Sequence, residues 1–189
     1  RDYDYSSVIH GSDLVPVDVI GRSAGERAVA RVNPRKVPTC KVPVIFDPRV
    51  SGTLVGHVIG AINGASIARK SSFLRDRLGQ QLFDTGVSII DDPLRRRGLR
   101  SQPFDAEGVA VKSMAFIDKG VLTSWILDSG TARELGMTTN GRAHRGVSSP
   151  PSPGTYNLHM EAGPLTPAAL MADIKSGFYV TDLIGSGVN

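Results

Sequence analysis

Three groups of polar residues in this sequence have the chemistry to act on a ligand: a lone histidine, a pair of cations and a pair of carboxylates. His57 lies in the stretch DPRVSGTLVGHVIGAINGASIARKSSF, and Arg69 and Lys70 stand near the end of that stretch. An imidazole such as that of His57 can contact a substrate or a partner, and the donors of Arg69 and Lys70 can contact the backbone of a substrate. Asp105 and Glu107 are two residues apart, so in an extended segment they share one side and can bind a cation or a peptide amine. These five residues are the candidate contacts to a substrate or a partner.

Each group also has an ordinary structural explanation. His57 fits the polar or half-buried side of a helix, with a hydrogen bond to a neighbour. Arg69 and Lys70 fit a helix C-terminus, where cations interact favourably with the helix dipole. Asp105 and Glu107 fit turn chemistry ahead of the next apolar run. The residues alone leave both explanations open for every group.

A catalytic zinc site needs about three protein ligands and an open coordination position. The sequence contains neither HExxH nor HExxxH, and His10, His144 and His159 have no glutamate at the helical spacing of a zinc peptidase. Cys40 has no cysteine or histidine partner at metal-binding spacing, and we interpret it as a half-buried apolar residue. We therefore predict no catalytic residue and no metal ligand in this chain.

The stretch around His57 carries strong helix signals. Asp47 is a good N-cap. Pro48 suits the first helical turn, because the N–H groups of that turn have no acceptor within the helix and proline therefore loses no hydrogen bond. Apolar residues then recur at helical spacing, which predicts one longer helix over about residues 48–66 with a core-facing side. Glycine recurs at every fourth position of this stretch, at Gly52, Gly56, Gly60 and Gly64. Because glycine destabilises a helix relative to alanine, this row predicts close approach of another backbone.

The rest of the sequence alternates between short strands and short helices. Strands are predicted at 41–46, 87–90, 109–117, 121–127, 156–160 and 178–184, and helices at 23–32, 72–82, 131–135 and 166–174. The gap Asp118-Lys119-Gly120 predicts a hairpin, and SSPPSPG within residues 138–155 predicts an extended surface loop. Because there is no βαβ rhythm, the order predicts an α+β fold with a mixed, mainly antiparallel sheet.

Two domain segments are expected. Residues 1–40 are assigned to a linker or to the end of a preceding domain. Residues 41–189 are assigned to one domain, and the family resemblance given below implies that this domain is incomplete at its C-terminus.

Composition restricts the classes of function. The chain has 189 residues, of which 40% are hydrophobic and 21% charged, and a net charge of +4, all ordinary for a globular protein. The run Arg95-Arg96-Arg97 is basic, but only 6% of residues are aromatic and no nucleic-acid-binding motif occurs, which argues against nucleic acid as a partner. No apolar run approaches the roughly 20 residues of a membrane span, and a single cysteine allows no internal disulfide. We therefore expect a cytoplasmic protein that does not cross a membrane.

A family resemblance extends over most of the chain. The stretch VIFDPRVSGTLVGHVIGAINGASIARKSSFLRDRLGQQLF resembles the start of the C-terminal domain of the TldD/PmbA family, also called the modulator-of-gyrase family. Three further stretches resemble that family in the same order: DDPLRRRGLRSQPFDAEGVAVKSMAFIDKGVL, WILDSGTARELGMTTNG and FYVTDLIGSGVN. The similarity is greater to the branch named PmbA or TldE than to the TldD branch. It implies an α/β domain before these residues and further strands after them.

The resemblance also implies where zinc is held. TldD-type members carry His-Glu-x-x-x-His on this helix, and Gly56, His57 and Ala61 occupy the positions of its first histidine, its glutamate and its second histidine, respectively. Since glycine and alanine offer no ligand, the chain is expected to be a metal-free, PmbA-type subunit of a metallopeptidase system, with zinc in a TldD-type partner. The implied substrates are unfolded peptides and peptide precursors, and the implied assembly is a hetero-oligomer with that partner or a homodimer. Both the cation pair and the carboxylate pair lie in stretches that resemble family motifs, so their contact to peptide or partner stays a hypothesis.

Two other functions are compatible with the sequence. One is a regulatory interaction protein that modulates gyrase or a nucleic-acid regulator without a peptidase role. The other is a self-sufficient peptidase that takes its ligands from further parts of the full-length protein. A HExxxH motif in the full-length chain would favour the second of these.

Overall fold

The fold is described here from a computed structural model that covers residues 1–185. Contacts divide these residues into two compact units, one of residues 1–41 and 96–99 and the other of residues 42–95 and 100–185. The last four residues of the closing motif FYVTDLIGSGVN lie outside the described residues. The predicted division at residue 40 stays a prediction about domains.

The first unit contains a 3-10 turn, Gly11–Asp13, and one helix, α1, Val17–Ala30. The helix begins six residues earlier than predicted. Ser23 lies inside it, and its hydroxyl bonds to the Asp4 side chain instead of capping the backbone. Cys40, predicted to be half-buried, is exposed. Its surroundings in this unit offer no apolar core, since α1 contains no buried residue.

The second unit contains four helices and eight strands among its described residues. The helices are α2, Pro48–Ala61; α3, Gly64–Ala68; α4, Ser129–Glu134; and α5, Pro167–Ala172. The strands are β1, Val44–Phe46; β2, Ile89–Asp91; β3, Met114–Asp118; β4, Val121–Leu122; β5, Ala143–His144; β6, Ser152–Pro153; β7, Leu158–Met160; and β8, Phe178–Val180.

The main sheet is antiparallel and has the strand order β4-β3-β2-β7. Strands β5 and β6 form a separate antiparallel pair, and β1 pairs with β8 in parallel. The α+β prediction with a mixed, mainly antiparallel sheet is therefore confirmed. The hairpin prediction is also confirmed, since Asp118 pairs with Val121 and both loop residues, Lys119 and Gly120, have positive φ angles.

The predicted helix over residues 48–66 is divided into α2 and α3. Ile62 ends α2, and the Asn63 side chain accepts a hydrogen bond from the Ala65 N–H at 3.0 Å, which caps a new helix. The Gly64 N–H then donates to the carbonyl of Ile126 at 2.8 Å. Asparagine competes with the helical backbone for hydrogen bonds, so an N-cap forms where the apolar pattern alone predicted continuity.

The glycine row of α2 is the clearest correction to the helix prediction. A Cβ atom at Gly52, Gly56 or Gly60 would meet nothing within 4 Å, so no backbone of the described residues packs there. At Gly64 a Cβ atom would lie 2.6 Å from the Ile126 carbonyl oxygen. Close backbone approach therefore occurs at one of the four positions.

Two further predictions were wrong. Residues 72–82 form successive turns instead of a helix, because the Ser72 hydroxyl bonds to the Ala61 carbonyl and to the Leu74 N–H. The run SSPPSPG, predicted as an extended surface loop, contains strand β6, which pairs with β5, and the Pro153 carbonyl accepts a hydrogen bond from the Asn63 amide at 3.0 Å. Side chains distant in sequence thus order both segments.

The core of the second unit lies between the main sheet and helices α2, α3 and α4. Its buried apolar residues are Ile62, Ile67, Ile89, Phe116, Ile117, Leu122, Trp125, Ile126, Leu127 and Ala132. Helix α2 packs partly against this cluster through Val55, Val58 and Ile59. Among residues 1–185, no helix combines the length and the apolar character that a membrane span requires.

Candidate functional site

Helix α2 holds His57 on a side that is partly open to solvent. The helix is oriented by its N-cap, since the Asp47 carboxylate accepts hydrogen bonds from the Arg49 N–H and the Tyr179 hydroxyl, each at 2.9 Å. Partial burial acts to raise the pKa of Asp47, but these hydrogen bonds hold that pKa below its usual value. His57 is half-buried, and its ring makes no hydrogen bond within residues 1–185. The bond to a neighbour that its structural explanation required is therefore not made there.

The donor set along α2 does not fit a zinc ion. Gly56 and Ala61 carry no donor atom, so His57 supplies one ligand where a zinc site needs about three. Within the part of the chain that the structure describes, no group of three or more histidine, cysteine, aspartate or glutamate side chains is arranged to hold a metal. No chemical step of this chain is therefore derived through zinc.

Arg69 and Lys70 terminate α3 and point their charge at solvent. The Lys70 N–H bonds to the Ile67 carbonyl and the Ser71 N–H to the Ser66 carbonyl, which is the hydrogen-bond pattern of a Schellman C-cap. Lys70 occupies its left-handed position, with φ of 59°. Both cations are exposed, and neither forms an ion pair within residues 1–185. They can therefore accept an external anionic partner without breaking an existing bond.

Asp105 and Glu107 are occupied by backbone N–H groups. Asp105 is buried, and its carboxylate accepts from the N–H groups of Glu107, Val109 and Ala143 at 2.9, 2.9 and 3.1 Å. The exposed Glu107 carboxylate accepts from the Ser129 N–H at 2.8 Å, at the start of α4, where a negative charge is favourable. The pair thus organises a turn and caps a helix. Its contact to a peptide stays a prediction.

The cation pair and the carboxylate pair are joined through packed helices and not by direct contact. Gly64 at the start of α3 lies against Leu127 and Thr131, and Thr131 belongs to α4. Glu107 in turn bonds to the first residue of α4. Within the described residues no hydrogen bond or ion pair joins His57, Arg69 or Lys70 to Asp105 or Glu107. The cation pair and the carboxylate pair are therefore separate candidate surfaces.

Sequence reasoning missed a buried charge network beside the carboxylate turn. The Arg142 guanidinium lies 2.7 Å from the Asp91 carboxylate, and neither side chain is exposed. Arg142 also donates to the carbonyls of Asn140 at 3.0 Å and Lys112 at 2.8 Å. Burial raises the pKa of the Asp91 carboxyl, and the guanidinium acts against that rise. Since the two charged residues are far apart in sequence, no local spacing could have identified them.

Aromatic rings complete this network. The guanidinium of Arg142 lies over the rings of Tyr156 and Phe116, with 5.3 and 5.8 Å to the ring centroids. The Tyr156 hydroxyl donates to the Gly141 carbonyl at 3.2 Å, and burial raises the pKa of this phenol. The His144 ring stands 4.4 Å from the Tyr156 ring, and burial together with the nearby arginine charges lowers the pKa of His144. Arg142 and Tyr156 are thus occupied by internal contacts, so we assign this arrangement to stability.

Comparisons with known proteins agree with this architecture. Residues 39–189 match the family profile described as the PmbA/TldA metallopeptidase C-terminal domain. Over 189 residues the chain is 38% identical to a protein named metalloprotease PmbA from Escherichia coli O157:H7, and it covers 40% of that relative's length. The chain therefore spans less than half of the curated relative that it resembles.

Two solved structures have the same fold. A candidate modulator of DNA gyrase from Thermotoga maritima superposes with a TM-score of 0.84 at 28% identity, over 94% of this chain and 40% of that one. TldE from Thermococcus kodakarensis gives a TM-score of 0.81 at 23% identity, over 92% of this chain and 39% of that one, which establishes likeness of fold alone. With the family match extending over most of its length, the chain belongs to the PmbA/TldD metallopeptidase family, of which it contains the C-terminal domain region.

Proposed function

We propose that this chain belongs to a PmbA-type subunit of a TldD/PmbA peptidase system, and that the subunit itself holds no zinc. The observation that carries the proposal is the donor set of α2, where His57 is flanked by Gly56 and Ala61 at the positions of possible further ligands. A hydrolytic zinc needs about three protein ligands and one open position. In this proposal a TldD-type partner supplies the zinc, its ligands and the general base.

The proposed role of this chain is to hold and select substrate. Its candidate contacts to peptide or partner are His57, Arg69, Lys70, Asp105 and Glu107. The exposed Arg69 and Lys70 support this role most directly, because both charges are free to bind. The substrates that we propose are unfolded peptides and peptide precursors, which meet the subunit in the cytoplasm.

The proposed assembly is a hetero-oligomer with a TldD-type subunit, with a homodimer as the alternative. The relatives bear metalloprotease names. We extend that activity to the complex and not to this subunit alone, because its α2 helix lacks ligands. Zinc is then a cofactor of the partner.

The test is zinc analysis and a peptidase assay of the full-length protein, alone and mixed with its TldD-type relative. We expect zinc in the relative and cleavage of an unfolded peptide in the mixture. A His57→Ala variant should leave the zinc content of the mixture unchanged. As a matched control, glutamine in place of the glutamate in the relative's His-Glu-x-x-x-His should abolish cleavage. Stoichiometric zinc and cleavage by this protein alone would overturn the proposal.

A second candidate function is regulation of gyrase without a peptidase role. The name of the Thermotoga maritima structure, a candidate modulator of DNA gyrase, favours it. A pull-down with gyrase at moderate salt distinguishes the two, because contact driven by nucleic-acid charge weakens steeply as salt rises. Salt-resistant capture of gyrase without peptidase activity in the mixture would favour regulation.

A further inference from the structure

The turns that follow α3, residues 69–78, expose a concentration of positive charge. We call these residues the basic segment. Its exposed cations are Arg69, Lys70, Arg75 and Arg77. Asp76 is the one carboxylate of the segment, and it pairs with its neighbour Arg75 at 3.1 Å. Arg77 bonds to the neutral side chain of Gln80 at 2.9 Å. The positive charge of the segment is therefore largely uncompensated by its own residues.

Apolar side chains stand exposed among these cations. Phe73 has 75% of its surface accessible, and Leu78 has 40%. A phenylalanine ring in that position loses the free energy that burial would supply. Both side chains are therefore available for apolar contacts with a bound molecule.

The backbone of the segment is held in place by the core. Ser72 is buried, and its hydroxyl bonds to the Ala61 carbonyl at 2.5 Å. Leu74 packs partly against the core, and the Arg77 N–H bonds to the Leu74 carbonyl at 2.9 Å. Since the turns are already ordered, binding would cost less conformational entropy than it costs in a mobile loop.

Lys70 adds an independent observation. Its φ of 59° lies in the left-handed region, where glycine is the common residue at a helix C-terminus. A lysine there is strained relative to glycine. The position therefore carries a charge at a cost to stability.

We propose that the basic segment is a docking surface for an acidic, unfolded stretch of polypeptide that also carries apolar side chains. Charge complementarity determines the sign of the partner, and Phe73 and Leu78 offer apolar contacts. Nucleic acid fits less well, because single strands stack on successive aromatic rings and Phe73 is the single ring of the segment. The choice of an unfolded polypeptide rests on the proposed function.

The experiment uses full-length protein and a fluorescein-labelled peptide of alternating aspartate, leucine, glutamate and serine. A second peptide has lysine in place of every acid, and a third probe is single-stranded oligothymidine. Fluorescence anisotropy at low and high salt measures binding. We expect the acidic peptide to bind more tightly than the other two probes, and added salt to weaken that binding.

Variants locate the surface. Arg69→Glu combined with Lys70→Glu should weaken binding of the acidic peptide on the order of tenfold. Arg133→Glu reverses an exposed charge on α4 and serves as the matched control, with unchanged binding. Phe73→Ser should weaken binding with little change in its salt dependence, because the lost contact is apolar.

Lys70→Gly separates binding from stability. Removing the left-handed lysine should raise the melting temperature by about 2 °C, while binding of the acidic peptide weakens. If Lys70 had only a structural role, the melting temperature and the affinity for the acidic peptide would change in the same direction. Equal affinity for the acidic and lysine peptides, preference for oligothymidine, or binding unaffected by the charge reversals would overturn the proposal. Acidic-peptide binding without peptidase activity in the mixture would reject the proposed function and leave this docking surface standing.

Discussion

The guanidinium of Arg142 and the carboxylate of Asp91 form an ion pair of 2.7 Å in which neither side chain reaches solvent. Asp91 also accepts a hydrogen bond from the Tyr156 N–H at 2.9 Å. The pair joins the end of β2 to the segment that precedes β5. A charge buried in this way is costly to leave without its partner.

Removing one member of the pair should therefore destabilise the protein strongly. We expect Arg142→Met to lower the free energy of unfolding by about 3–5 kcal/mol, because Asp91 then remains buried without its counter-charge. Asp91→Leu combined with Arg142→Met should cost less than the sum of the single changes. Urea unfolding of the four proteins in a double-mutant cycle measures the coupling. Additive losses would contradict a direct interaction between the two side chains.

The environment of His144 should make the stability of the protein depend on pH. Its ring lies against Tyr156, its Nε2 atom is buried without a hydrogen-bond partner among residues 1–185, and the charges of Arg100 and Arg142 oppose its protonation. The pKa of the folded state is thus below the ordinary value of 6.5. As pH falls below 6.5, His144 takes up a proton in the unfolded chain before it does so in the folded protein. The stability of the folded protein therefore decreases as pH falls from 6.5 to the pKa of the folded state. Above pH 6.5 this contribution to stability is fully present.

The measurement compares His144→Phe with the natural protein by thermal unfolding between about pH 7 and about pH 5. The variant should lose less stability on acidification, because it has no imidazole to protonate. Groups that do not interact with His144 are common to both proteins, so their contributions cancel in the difference. Parallel curves for the two proteins would show that His144 is not responsible.

Gly64 and Gly60 form a matched pair for testing the helix break. Gly64→Ala should lower the free energy of unfolding by about 2 kcal/mol, since its Cβ atom would press on the Ile126 carbonyl and the Leu127 side chain. Gly60→Ala should raise it by about 0.5–1 kcal/mol, since alanine favours a helix and the space there is open. Urea midpoints of the two variants give the comparison. A loss at Gly60 would indicate a neighbour that covers α2 in the full-length protein.

Helix starts and the hairpin could be predicted from the sequence, because they form through contacts between residues that are adjacent in the chain. The Asp47-Pro48 and Thr166-Pro167 starts became capped helices, because a side-chain acceptor and a proline act within one turn. The hairpin at Lys119-Gly120 formed because two residues can close it. These features needed no knowledge of the rest of the fold.

Features that depend on distant partners could not be predicted in this way. The parallel pairing of β1 with β8 joins Val44 to Phe178, and no local pattern encodes that register. The break at Asn63 depends on bonds with Pro153 and on the Gly64 contact to Ile126. The apolar periodicity on both sides of Asn63 instead favoured one continuous helix. The candidate site could not be predicted for the same reason. The sequence does not show that the cations Arg69 and Lys70 are exposed, or that the carboxylates of Asp105 and Glu107 accept backbone hydrogen bonds.

Substitutions of Asp105 and Glu107 can test whether this carboxylate pair contacts a substrate or only organises a turn. Asp105→Asn replaces one acceptor oxygen with an N–H donor that must face a backbone N–H of Val109 or Ala143. We expect a loss of about 2 kcal/mol in the free energy of unfolding, as for a buried polar group without its partner.

Glu107→Gln is the control, because it keeps an acceptor for the Ser129 N–H and removes one exposed charge. It should cost only about 0.5 kcal/mol through the weaker interaction with the helix dipole. If Asp105 and Glu107 only organise the turn, both variants should bind peptide like the natural protein at temperatures well below unfolding. If Glu107→Gln binds peptide more weakly and its stability is unchanged, Glu107 contacts the substrate. The exposed carboxylate would then bind the peptide in addition to the Ser129 N–H.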